Sequence, residues 1–397
     1  MDKVCFVGTE ITPSEGKTFV GSHVNTILRL SKGLINLGWE VHIVTSPSRF
    51  LRENDFDFPL GKIHLINVKG EYGTIKYGFE FLIKAIKTIE TLHQKESFKI
   101  IHSHSSFFSM AVIPVFLKKK LEIPALHSLY SPARFFPSKI FPNKLGIEFL
   151  AFGLDKIIAV TNNVKNSLIA SGVSEDKIEI IPLCVDTDIF NLSTLAQEQN
   201  NLLQGQSEIQ TVLFVGSYEK VKGLNIFLDA AELILKKYNK VKFVITLHEP
   251  YDCIKKVKII ASSKLGSHVQ VLGTVKNMPG LIASADVVLV PFRNTSNISD
   301  IPLIILEAMA IGRSVVTTNI GGTAELVRDE ENGILVKLNR ADLFADAVVH
   351  LLRNPNLRKK IGEKGALSII SKYSHIESAQ KINKLYQKVI GDSIVHV

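Results

Sequence analysis

Three places in the 397-residue chain carry side chains whose types and spacing could do chemistry. The first is GSYEKVKGL (216–224), which follows an apolar, β-branched run. Gly216 and Gly223 allow close backbone approach, a helix start would offer free amides, and Lys220 and Lys222 add charge, a combination suited to a phosphate. An ordinary strand-to-helix turn with solvated lysines fits these residues equally well. The second is SDIPLIILEAMAIG (299–312), a polar loop leading through Pro302 into a short apolar helix closed near Gly312. Glu307 stands alone there among Ile304, Ile305, Leu306, Ala308 and Met309, where a carboxylate is costly to bury unless something such as a ribose diol hydrogen-bonds it. Asp300 lies about two turns earlier and can face the same side of the helix start. It either meets the ligand or caps the helix, and the cap is slightly favoured because Asp suits that position and the helix dipole. The third is a set of histidines: His102 and His104 at i and i+2 on one strand face, and His127 ending the next apolar run. No third ligand is tightly spaced, so a metal is not expected. A lone histidine is usually structural, but three at strand ends in one domain point toward a binding cleft.

The elements that must hold these residues are legible as alternating patterns. Short β-branched runs at 4–8, 40–46, 62–68, 99–105, 124–130, 156–161 and 177–183 alternate with amphipathic helical stretches such as 23–37 and 79–93. Strands alternating with helices imply right-handed crossovers and a parallel, doubly wound sheet with both faces covered. Residues 191–210, NLSTLAQEQNNLLQGQSEIQ, lack an apolar stripe and read as a connector. A second set of runs then follows at 211–217, 242–248, 269–275, 286–292, 314–319 and 333–338. The expected organisation is an α/β chain of two such domains facing across a cleft. Residues 1–190 form the first and 211–397 the second, with the last helix free to pack back on the first. Ligands of open α/β sheets bind beyond the carboxyl ends of the strands, which places the chemistry in that cleft.

Composition is that of a globular chain, with 46% hydrophobic and 21% charged residues. A net charge of +9 favours anionic partners. Three scattered cysteines, Cys5, Cys184 and Cys253, suggest a reducing compartment. Neither a signal-peptide core nor a run of roughly 20 apolar residues is found, so a cytoplasmic, soluble or peripheral protein is expected. The segment YSPARFFPSKIFPNKLGIEFLAFG (130–153) mixes five Phe and one Tyr with Arg134, Lys139 and Lys144, downstream of Lys118, Lys119 and Lys120. Such a mixture suits the inner face of an anionic membrane, or equally a packed acceptor loop with solvated lysines.

Taken in order, these motifs resemble glycosyltransferase family 4 over nearly the whole chain. HVNTILRLSKGLINLGWEVHIVT (23–45) is similar to the family's first helix and second strand, and IIHSHS (100–105) to its His-containing segment. DKIIAVTNNVKNSLIASGV (155–173) with IIPLCVDTDIF (180–190) resembles the stretch before the linker. VLFVGSYEKVKGL resembles the donor-phosphate loop, LEAMAIGRSVVTTNIGGTAELV (306–327) the nucleotide-binding helix and following strand, and NGILV (332–336) the segment after it. The resemblance implies a GT-B fold of two Rossmann-like domains and a retaining transferase that uses a nucleoside-diphosphate sugar, UDP- or GDP-linked. No metal or other cofactor and no nucleic-acid partner are expected. The acceptor would be a glycan, a lipid or lipid-linked hydroxyl, or a small molecule. It assigns catalytic roles to His104, Lys222 and Glu307, with His104 on the donor sugar and Glu307 on the ribose. Gly216, Ser217, Lys220, Ser299, Asp300 and Leu303 would line the donor, and Gly21, His127 and Tyr130 the acceptor side.

Three departures from the family pattern accompany the match. Ser217 stands where an Arg commonly follows the loop Gly, so that Lys220 or Arg293 would have to supply the charge. Ser299, with Asp300 beside it, occupies the place of the first Glu of the two-Glu motif. The usual Gly-Gly pair before the first helix is reduced to Gly21 and Ser22. A non-catalytic nucleotide-sugar binder and a sugar-nucleotide epimerase of the same fold remain alternatives. A nicotinamide dehydrogenase is the weakest, since GTEITPSEG (8–16) does not make the Gly-x-Gly-x-x-Gly turn.

Overall fold

The computed structural model describes residues 1–8, 12–13, 19–20, 22–47, 61–69, 74–135, 143–193, 209–295 and 299–395. Gly21 and residues 194–208 of the connector lie outside them, as do Phe136, Lys139 and Phe141. The first strand, β1 (Lys3–Gly8), is followed by a short antiparallel pair, β2 (Thr12–Pro13) and β3 (Phe19–Val20). With β4 (Glu40–Thr45), β5 (Lys62–Leu65), β6 (Ile100–Ser105), β7 (Ala125–Leu129), β8 (Lys156–Ala159) and β9 (Ile178–Ile180), β1 builds an all-parallel sheet ordered β5-β4-β1-β6-β7-β8-β9. Crossovers run through α1 (Ser22–Asn36), α2 (Ile75–Glu96), α3 (Val112–Leu121), α4 (Asn143–Gly153) and α5 (Asn162–Ala170). Strands β6 and β7 are buried along their whole length, which is why they read as continuous β-branched runs rather than alternating ones.

The second sheet comprises β10 (Gln210–Gly216), β11 (Val241–Leu247), β12 (Val269–Leu272), β13 (Val287–Val290), β14 (Ser314–Thr318) and β15 (Ile334–Val336), ordered β12-β11-β10-β13-β14-β15. Gln210, placed in the connector by its composition, already belongs to β10. The helices of this half are α6 (Leu224–Lys237), α7 (Tyr251–Leu265), α8 (Met278–Ala283), α9 (Leu303–Ala310), α10 (Thr323–Leu326), α11 (Ala341–Arg353) and α12 (Pro355–Lys372). Each sheet reverses its winding once, between β1 and β6 in the first and between β10 and β13 in the second. These switch points are where crevices open in doubly wound sheets. At the first, Gly8 is in register with His104. At the second, Gly223 has φ +73°, and a Cβ there would stand 1.9 Å from the Pro291 carbonyl, so only glycine lets the loop after β10 lie against the end of β13.

The last helix, α13 (His375–Val395), leaves the second half and packs on the first. The crossing is tied by Val185, whose amide donates to Tyr373 and whose carbonyl accepts from His375. Ala379, Ile382, Tyr386 and Val389 then share a core with Leu28, Leu34 and Trp39. Polar bonds fix the register: Trp39 Nε1 donates to Asn383 at 2.8 Å, and His102 Nδ1 hydrogen-bonds the Tyr386 hydroxyl at 2.6 Å. Tyr386→Phe strands that buried histidine nitrogen at an expected cost of roughly 1–3 kcal/mol. Thermal unfolding should show a fall of several degrees in Tm, and an unchanged Tm would mean that the hydroxyl contributes nothing to docking of the helix.

Candidate active site at the interdomain cleft

The carboxyl ends of the two sheets meet directly. The loop after β13 reaches the first domain at Asp300, whose amide donates to the Tyr130 carbonyl at 2.8 Å. The Tyr130 hydroxyl in turn hydrogen-bonds His104 Nδ1 at 2.7 Å. His104 and the loop that opens α9 are therefore joined through one tyrosine. His104 is fully buried against Phe6 and His102, with ring centroids 4.5 and 4.0 Å away.

Asp300 does not cap α9. Pro302 is the N-cap residue there, with no side-chain cap, and the Asp300 carboxylate points across the domain boundary. It accepts from the Thr161 hydroxyl at 2.6 Å and from Asn163 Nδ2 at 2.9 Å. Thr161 is itself the N-cap of α5, accepting from the Val164 amide. Burial pushes the Asp300 carboxyl up from its ordinary value, and the bonds from Thr161, Asn163 and Thr295 oppose that rise. A second carboxylate of the C-terminal half, Glu325, takes the free amides of the same helix start, Asn162 N at 2.8 Å and Asn163 N at 3.0 Å. A helix N-terminus attracts anions, and here two side chains of the other domain supply them. Gly322 completes the seam, because a Cβ on it would come within 2.4 Å of Thr161.

Glu307 sits on the α9 face turned to the first domain, where Arg29 of α1 reaches it with Nη2–Oε1 at 2.5 Å. The pair is mostly buried, with side chains 9% and 12% exposed. The guanidinium also donates to the Cys184 carbonyl at 3.1 Å and lies over the Phe190 ring. The loop after β10 forms a short 3-10 turn at Lys220–Lys222. Lys222 Nζ lies 4.6 Å from the centre of the Phe292 ring, and burial lowers its pKa. Lys220 is exposed, and Ser217 Oγ donates to Glu219 at 3.2 Å. Arg293 shares this corner through its backbone, but its Nε donates to Asn339 at 3.1 Å. Ser299 and Leu303 are buried at the start of the α9 segment.

The other two histidines are placed differently from the expectation of a shared cleft. His102 is locked between Tyr386 and Ser128 in the interior. His127 is fully buried on the opposite sheet face, bonded to Ser103 Oγ at 2.8 Å and edge-on to Phe108, with burial pulling its pKa down to about 3. It does not line an acceptor surface, because register pairs it with Ser103, one residue out of phase with His102 and His104. Among the described residues two other groups could gather metal-ligating atoms, Glu40, His42 and Glu96, and Asp186, Asp188 and His375, but lysines already pair with both.

Comparison with known proteins agrees with this geometry. Residues 23–189 match the model described as Glycosyltransferase Family 4, and residues 209–354 match that of Glycosyl transferases group 1, together well over half of the chain. The chain belongs to glycosyltransferase family 4. An uncharacterised glycosyltransferase of Methanocaldococcus jannaschii is 24% identical over 96% of this chain and 98% of its own. The N-acetyl-alpha-D-glucosaminyl L-malate synthase of Bacillus anthracis is 23% identical over 97% of both chains. The phosphatidyl-myo-inositol mannosyltransferase of Mycobacterium tuberculosis is 30% identical, covering 55% of this chain and 56% of that one. Among solved structures, sucrose-phosphate synthase from Thermosynechococcus elongatus superposes with a TM-score of 0.78 at 18% identity, covering 99% of this chain and all of the other, so the fold is GT-B. The protein is a glycosyltransferase, and its two sheets are the Rossmann-like halves of that fold.

Arg29, Thr161, Asn163 and Glu325 are the site residues that sequence reading missed. The signal for Arg29 was a charge inside the apolar run ILRL. Because Asp300 bridges the domains and does not cap α9, Asp300→Asn in this glycosyltransferase should cost about 1–3 kcal/mol by setting its amide NH2 against one of the two donors, Thr161 or Asn163. Thermal unfolding tests this: a Tm equal to that of the parent would restore the capping role.

Proposed function

We propose that this glycosyltransferase moves a sugar from a nucleoside-diphosphate sugar to a hydroxyl acceptor with retention of anomeric configuration and without a metal. The observation that carries the reading is the meeting of both switch points: the Lys222 loop, the start of α9 and, through Tyr130, His104. A solved relative in fold, HepE of Anabaena, is described in complex with UDP-glucose and superposes with a TM-score of 0.73 at 15% identity.

Cleavage of the sugar–phosphate bond develops negative charge on the departing diphosphate, which a positioned cation and helix amides stabilise. In this reading Lys222 and the amides around Leu303 take that charge. Glu307 offers Oε2 to the ribose hydroxyls while Arg29 holds Oε1, and His104, whose ring is fully buried, meets the donor sugar only if the residues covering it move aside. The acceptor hydroxyl attacks from the face the phosphate leaves and passes its proton to the departing phosphate oxygen, which needs no protein nucleophile. Lys222→Ala should weaken nucleoside-diphosphate binding about ten- to hundredfold, the worth of a charged hydrogen bond, with less effect on the nucleoside. Titration calorimetry decides it, since an equal loss for both ligands removes the phosphate role, and turnover should persist in EDTA.

The acceptor reading follows from α3 and α4. Leu145, Phe149 and Phe152 form one stripe of α4 and are 66%, 76% and 85% exposed, with Phe116 of α3 at 50%. Such large apolar groups in the open contrast with Phe135, which packs against the core. Lys119 and Lys144 are exposed in the same region, and Lys177 lies over the Phe152 ring. Among the described residues no helix is long and apolar enough to cross a bilayer. The stripe suits the headgroup layer of an anionic membrane, where a lipid-linked acceptor would reside. The protein should sediment with anionic vesicles at low salt, and Phe149→Ser with Phe152→Ser should release it. Absence of binding by the parent at low salt rules the membrane out.

A further inference from the structure

The C-terminal domain has a second concavity at the opposite end of its sheet from the donor loops. Asp286, just before β13, and Ser314, the first residue of β14, lie on its wall, so it opens at the amino ends of the strands. Its volume is about 440 Å³, within the range of small-molecule sites.

Three cations, Arg313, Arg358 and Lys359, line this cavity against two carboxylates, Asp286 and Glu363, and Lys359 pairs with Glu363 at 3.8 Å. Asp286 is fully committed, accepting from Thr211 N at 2.8 Å and paired with Arg358 Nη2 at 2.8 Å. Arg313 has no such partner: its Nε is buried without a hydrogen bond, and among the described residues no carboxylate pairs with it. A half-buried guanidinium is costly to leave unpaired, and burial together with repulsion from Arg358 lowers its pKa in spite of Asp286. The 18-residue helix α12 also begins at the cavity, with Pro355 and Asn356 on its wall and no side-chain cap from Asn354. Pro355 has no amide hydrogen and Arg358 N already donates to the Asn354 carbonyl, so an anion at this helix start would meet the amides of Asn356 and Leu357.

We propose that this cavity binds a phosphorylated small molecule, with the phosphoryl group held by Arg313 and the start of α12 and the remainder lying against Leu192 and Ile311. Arginine offers paired donors that match phosphate oxygens. Leu192 belongs to the connector between the domains and touches Gly312, so a ligand here contacts both the connector and the C-terminal domain. The site is separate from the donor loops, and the proposal does not rest on the donor reading.

The probe is inorganic pyrophosphate, titrated calorimetrically into the full chain carrying Lys222→Ala to weaken the donor loop. Binding should persist in that background and weaken about tenfold or more when Arg313→Gln is added, a charged hydrogen bond being worth roughly 1.5–3 kcal/mol. Asn356→Asp is a second variant that suits a helix start but repels an anion, and it should weaken binding likewise. Arg313→Lys should retain part of the affinity. Loss of all pyrophosphate binding in Lys222→Ala alone, or an affinity that neither Arg313→Gln nor Asn356→Asp changes, overturns the proposal.

Discussion

The ion pair between Arg29 and Glu307 joins two charges that neither domain could keep buried by itself. Arg29 lies in the apolar run of α1, and Glu307 lies among the isoleucines of α9. Taking either charge out of water without its partner costs several kcal/mol, so the arrangement is tolerable only while the two domains touch. The same holds along the rest of the seam, where Asp300 binds the Thr161 and Asn163 side chains and Glu325 takes the free amides at the start of α5. Domain spacing is thus set by polar groups that must find one another, and the apolar core running from Phe190 to Ile301 fills in around them.

That constraint positions the chemistry. Rossmann-like sheets leave their crevices at the switch points, and there is no reason in either sheet for the two crevices to face each other. The seam provides one. By holding Asp300 against Tyr130, it brings the start of α9 beside the tyrosine that orients His104. The return of α13 to the first domain adds a second tether at the far side, through His102 and Tyr386.

What was legible in the sequence follows the same division between local and distant causes. The strands of both sheets stood out because buried parallel strands must be β-branched runs, and α1 and α2 stood out by their helical spacing. His127 was misplaced because two neighbouring strands can both end in histidine while their registers send the rings to opposite faces. The sequence leaves Asp300 between a ligand contact and a cap, with the cap slightly favoured because capping is the local rule for Asp before a helix, whereas its partners, Thr161 and Asn163, lie well over a hundred residues away in the other domain. Arg29 and Glu307 are 278 residues apart, and spacing within one chain cannot pair them.

Lys222 shows how much of the donor loop's character depends on its being unsatisfied. With Ser217 in place of a second cation, and Arg293 bonded to Asn339, the loop has one strongly placed positive charge. That charge is half-buried over Phe292, where burial lowers its pKa and Glu219 raises it. The ring face offers the ammonium partial compensation, roughly 0.5–2 kcal/mol, which is less than hydration would give. A dianion placed there would gain more from Lys222 than from a solvated lysine, because part of the cost of stripping water from the cation is met when the chain folds. A single desolvated lysine beside free helix amides can in this way do part of what two exposed cations would do.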